Sequence, residues 1–109
     1  MPKPSLTPEL LGLVAERFKV LAEPARLAIL NLLRARELTV SEIVDQTGFG
    51  QANVSKHLQV LFGHGFITRR KEGLYAYYAL ADRRVFTLCD LMCDSLQDAA
   101  KSRRKLLAS

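Results

Sequence analysis

The sequence predicts a mainly α-helical domain that carries one small β-hairpin, and three observations predict it. Apolar residues recur at helical spacing through four successive segments up to His64. The period then changes to two between Phe66 and Leu80. A last amphipathic segment follows Asp82. The order is α-α-α-α-β-β-α. Its short third helix, glycine-marked turn and polar fourth helix, followed by the hairpin, make the pattern of a winged helix-turn-helix.

Each element has its own local reason. Residues 1–7 are a Pro/Ser/Thr lead-in, and Thr7-Pro8-Glu9 then supplies an N-cap, a first-turn proline and an acid suited to the helix dipole. Leu10, Val14, Phe18 and Leu21 continue that helix at helical spacing. Glu23-Pro24 ends it and opens a second, with Leu27, Leu30 and Leu33 expected as a buried stripe and Arg34 and Arg36 closing the last turn. Thr39-x-x-Glu42 is a capping box for the third helix, whose inward residues are Ile43 and Val44 and whose left-handed cap is Gly48. The fourth helix begins near Gln51, buries Val54, Leu58 and Leu61, and ends at Gly63-His64-Gly65. Phe66–Arg70 and Leu74–Leu80 read as two strands joined around Lys71-Glu72-Gly73. A fifth helix starts at Asp82 as N-cap, with Val85, Leu88, Met92 and Leu96 as its apolar stripe and Ala99 one turn further on. Lys101, Arg103, Arg104 and Lys105 form a basic tail expected to fray.

Bulk composition narrows the class. The 109 residues suit a single domain spanning 1–109, with 49% apolar residues against 25% charged. That share supports a core and a subunit interface together. The formal charge of +5 favours an anionic partner without naming it. No apolar run approaches the roughly 20 residues of a membrane span, and the N-terminus lacks the apolar centre of a secretory signal. A cytoplasmic protein without a membrane partner is expected. Cys89 and Cys93 are too few for a disulfide framework, and a reducing cytosol keeps them as thiols. There is no glycine-rich phosphate loop, no nucleophile motif and no clustered acid/base pair, so an enzyme is not expected.

The chain resembles the ArsR/SmtB family of bacterial winged-helix repressors. The resemblance rests on Leu21-Ala22-Glu23-Pro24-Ala25-Arg26-Leu27-Ala28-Ile29-Leu30 and on Val54-Ser55-Lys56-His57-Leu58 with Leu61. It continues through Gly65-Phe66-Ile67-Thr68-Arg69-Arg70-Lys71-Glu72-Gly73 and ends in Tyr77-Tyr78-Ala79-Leu80. It implies a helix-turn-helix over about 39–64, a wing over about 66–80, and a homodimer joined by helices over about 8–21 and 82–105. Leu10, Val14, Val85, Leu88, Met92 and Leu96 are then interface residues. It also implies that the fourth helix enters the major groove of operator DNA, and that a ligand or oxidant weakens that binding.

A recognition helix needs short polar side chains near its start, together with phosphate donors. Gln51 and Asn53 suit adenine, Ser55 and Lys56 suit phosphate or guanine, and Gln59 lies two turns on from Gln51. The competing reading is an ordinary solvated helix face. His57 is either a phosphate donor or a half-buried packing residue. Arg69, Arg70 and Lys71 make a basic wing, with Arg69 and Arg70 on opposite faces, so one of the two is expected to meet DNA. Tyr75, Tyr77 and Tyr78 are expected to pack the hairpin rather than stack on bases.

The signal, if there is one, is sought on the last helix. Members of the resembled family often carry cysteines where this chain has Thr39 and Ser41, which are poor soft-metal ligands. A second family site matches Asp82 and Asp98 but has Arg84 and Ser95 where histidines are needed. Cys89 and Cys93 remain, four residues apart on one helical face. They suit a soft metal or metalloid ion, or a redox switch. They equally suit plain packing beside Leu88 and Met92. A regulator with no small-molecule signal and a winged-helix module that binds protein are the alternatives.

Overall fold

A computed structural model describes residues 5–108. The chain forms α1 (Pro8–Leu21), α2 (Pro24–Leu33), β1 (Leu38–Thr39), α3 (Val40–Thr47), α4 (Gln51–Gly63), β2 (Ile67–Glu72), β3 (Tyr75–Leu80) and α5 (Arg84–Ala108). Thr7 accepts from the Leu10 amide and caps α1, with Pro8 in the first turn. The capping box of α3 closes in both directions. Thr39 Oγ1 accepts from the Glu42 amide, and the Glu42 carboxylate accepts from the Thr39 amide. Gly48 ends α3 at φ 75°, a left-handed backbone that a side chain adopts only with strain.

The strands form one antiparallel sheet in the order β1-β3-β2. β1 is a third strand that the sequence reading missed, because two residues carry no period. It pairs Leu38 with Tyr78 and Thr39 with Tyr77. The hairpin turn also lies further along than expected. Lys71 and Glu72 belong to β2, opposite Ala76 and Tyr75, and the turn is Gly73-Leu74 with Gly73 at φ 61°.

The core gathers Ile29, Leu30 and Leu33 of α2, Leu38, Ile43 of α3, and Val54, Leu58 and Leu61 of α4. Val20, Phe66, Ile67, Val85 and Phe86 complete it. Leu27 departs from the expected stripe and is exposed. Each i,i+3 step turns back about 60° around a helix, so a row from 27 to 33 cannot stay on one buried arc, and Ile29 fills the arc instead. Arg34 follows α2 as its C-cap, and Arg36 lies beyond it, paired with Glu42 at 3.0 Å.

α5 begins at Arg84 rather than at Asp82. Asp82 Oδ1 accepts from the Arg84 amide at 2.9 Å, and the Arg84 guanidinium holds the Asp82 carboxyl below its usual range. Val85 is buried in the chain's own core, which removes it from the set of free interface residues. Leu88, Met92 and Leu96 are exposed, as are Leu11, Leu13 and Phe18 of α1. Leu10 and Val14 are half-buried. The basic tail lies within the helix: α5 runs through Lys101, Arg103, Arg104 and Lys105 to Ala108. No helix of the described residues is long and apolar enough to cross a membrane.

Candidate nucleic-acid interface

α3 and α4 are joined by the three residues Gly48-Phe49-Gly50. The interior face of α4 is fixed by Val54, Leu58 and Leu61, each with no exposed surface. At 100° per residue, the outward face is then centred near Ala52 and Lys56. Gln51, Asn53 and Gln59 are also exposed, whereas Ser55 and His57 lie half-buried on the flanks. Gly50 leaves the start of α4 without a side-chain cap, so its first amides point to solvent. Ala52 carries no polar group, so nothing in the linear sequence marks it. The burial phase of the helix exposes it, and its methyl suits a thymine methyl.

His57 has a definite partner. The Arg26 guanidinium lies 3.4 Å from His57 Nδ1. Arginine has only donors, so in this contact Nδ1 takes the acceptor role. Arg26 Nε also donates to the Val20 carbonyl at 2.7 Å, tying the end of α1 to α4. At the other end of α4, Arg17 donates to the His64 carbonyl at 2.7 Å and lies 4.2 Å over the Phe66 ring. These two arginines anchor α4 to α1 and α2. Neither was singled out from sequence, because their partners are 31 and 47 residues away.

The wing divides by face. Ile67 is buried, so Arg69 and Lys71 continue its face of β2, and Thr68, Arg70 and Glu72 lie on the other. Arg69 and Lys71 are exposed and form no ion pair among the described residues. Arg70 is engaged. It pairs with Glu37 at 2.6 Å and with Glu72, and its guanidinium lies 4.7 Å over the Tyr77 ring. The two carboxylates, Glu37 first, raise its pKa above the ordinary arginine value. Tyr77 and Tyr78 are half-buried hairpin residues, whereas Tyr75 is exposed.

Cys89 and Cys93 continue the i,i+4 row that starts at buried Val85. Both are free thiols, Cys89 half-buried and Cys93 exposed. Cys89 lines an apolar groove of about 550 Å³ with Phe18, Leu21, Leu27, Leu91 and Met92. No group of three His, Cys, Asp or Glu side chains is placed to hold a metal ion among the described residues. One chain therefore offers two thiols on α5, which do not by themselves complete a tetrahedral site.

Residues 23–69 match the profile described as bacterial regulatory protein, arsR family. The chain is 36% identical over 87 residues to a probable mercury resistance operon repressor of Streptomyces lividans, covering 79% of this chain and 70% of the relative. Its fold matches the crystal structure of Mycobacterium tuberculosis Rv0081 with a TM-score of 0.79 at 33% identity, covering 89% of this chain and 98% of the other. It also matches the solution structure of a homodimeric winged helix-turn-helix DNA-binding domain from Mycobacterium bovis. That TM-score is 0.75 at 33% identity, covering 89% of this chain and 93% of the other.

Proposed function

The chain belongs to the arsR family of bacterial regulatory proteins, and from that premise we propose that it is a homodimeric repressor that binds operator DNA through α4 and the β2–β3 wing. The family is one of transcriptional regulators and not of enzymes. The observation that carries the DNA reading is the joint presence of an uncapped, polar α4 face and two unpaired wing cations, Arg69 and Lys71. Gln51, Asn53 and Gln59 read base edges with Ala52. Lys56, on the outward face, meets guanine or phosphate, and Ser55 and the Nε2–H of His57 reach phosphates from the flanks. Arg69 and Lys71 hold the neighbouring backbone.

The input is a thiol-directed species at Cys89 and Cys93. A soft ion bound there supplies strong thiolate bonds, and an oxidising sulfur species supplies a covalent change. The chain's contribution is placement: Cys89 sits in the groove between α1 and α5, and α1 carries Arg17, which holds the end of α4. The S. lividans relative, by its name a mercury resistance repressor, supports a soft ion as the signal. The test is a binding titration on the DNA upstream of its own coding sequence, repeated with arsenite, zinc, copper(I), mercury(II) and persulfide. At least one is expected to release the DNA, and Cys89→Ser with Cys93→Ser is expected to bind DNA normally without that response. A double variant that still responds in full would leave the cysteines as packing residues only, because Cys89 already packs in an apolar groove.

A further inference from the structure

Arg70 crosses the whole wing sheet. It stands on β2, its register partner on the central strand is Tyr77, and Tyr77 is paired in turn with Thr39 on β1. Glu37 lies two residues before Thr39, just ahead of β1. The Arg70 side chain runs over the Tyr77 ring at 4.7 Å and ends on Glu37 at 2.6 Å, a residue 33 positions away in the chain. Glu72, two residues along the same strand, holds a second guanidinium nitrogen. Two carboxylates and one ring therefore occupy the cation, and it adds no net positive charge to the wing.

We propose that Arg70 is a positioning residue: with Glu37 and Tyr77 it clamps the wing to the α2–β1 junction, so that Arg69 and Lys71 meet the DNA backbone at a fixed height. This rests on the reading of the chain as a DNA-binding regulator. β2 and β3 form a two-stranded ribbon beyond the β1 pairing, and such a ribbon is marginal without further support. The clamp supplies that support from the face opposite the two free cations. A planar guanidinium suits it, because it stacks on the ring while its fork reaches both acids, and an ammonium cannot do both.

The clamp makes an unusual prediction about sign. Glu37→Ala removes a negative charge from a DNA-binding surface, which by electrostatics alone strengthens binding. As part of a clamp, its loss weakens binding instead. The experiment measures affinity of the full chain for a fluorescent duplex across a salt series, with circular dichroism confirming that each variant is folded. Glu37→Ala and Arg70→Lys are each expected to weaken binding roughly 3–10-fold, with the double variant no worse than the singles, since contacting groups are coupled. Their salt slopes are expected to match the parent. Arg69→Ala is expected to flatten the slope by about one contact per wing and to be additive with Glu37→Ala. Tighter binding by Glu37→Ala, or unchanged binding by Arg70→Lys, would overturn the clamp and return Arg70 to the phosphate contacts. Failure of the parent protein to bind any duplex at low salt would instead sink the DNA-binding reading itself.

Discussion

The wing and the recognition helix place cations and amides in different chemical positions, and substitutions separate them. Gln51 and Asn53 are exposed at the start of α4, and on the proposed DNA reading they meet base edges. Lys71 is exposed on the wing and on the same reading meets only the DNA backbone. Replacing Gln51 or Asn53 with Ala is expected to cost about 1–3 kcal/mol at the preferred site and little elsewhere. Replacing Lys71 is expected to weaken all duplexes alike. Competition binding over a panel of single-base variants checks this, and a uniform loss from both sets would remove the division of labour. Polar character and helical context made these residues legible in the sequence. The states of Arg70 and His57 were not legible. Glu37 and Arg26, which occupy them, are 33 and 31 residues distant, and no local pattern joins them.

Local chemistry set most element boundaries. The Thr7 cap, the Thr39–Glu42 capping box and the left-handed Gly48 are satisfied within a few residues, so they read directly from the chain. The Glu42 carboxylate is held below its ordinary value of 4.5, first by the Thr39 amide and then by Arg36. A depressed folded value means that its contribution is full above that ordinary value and fades as pH falls through the lowered one. The thermal-stability gap between the parent and Glu42→Gln is therefore expected to hold steady above about pH 5 and to shrink as the pH falls below the ordinary carboxylate range. A gap independent of pH would show that the carboxylate charge plays no part in the cap. Elsewhere the boundaries moved. β1 exists because Leu38 and Thr39 meet Tyr78 and Tyr77, which is a property of the sheet and not of a two-residue segment. The hairpin turn settles on Gly73 because that position takes φ 61°, which draws Lys71 and Glu72 into the strand.

The molecule is too extended to be a finished globule. Its radius of gyration is 17.3 Å, against about 13 Å for a compact chain of this length. The excess lies in α5, where every residue from Asp90 onward is exposed, including Leu91, Met92 and Leu96. With Leu88 and with Leu11, Leu13 and Phe18 of α1, these leave large apolar side chains exposed along both terminal helices. A two-fold partner covers such a surface with the same residues. Leu88→Glu combined with Met92→Glu is expected to yield a folded monomer whose DNA affinity falls at least 10-fold, since two half-sites no longer bind as one unit. Sedimentation read alongside the binding titration checks both, and a variant that stays dimeric would place the interface elsewhere. Helical and strand periods, caps and turn glycines were enough to establish the winged helix-turn-helix and the polar outward face of α4, because each of those signals is satisfied within a few neighbouring residues. Which arginine is free, which leucine of α2 is buried, that Val85 belongs to the chain's own core, and that Cys89 opens on an apolar groove all depend on residues brought together from distant parts of the chain. Burial and ion pairing are properties of the packed molecule, and a linear pattern carries neither.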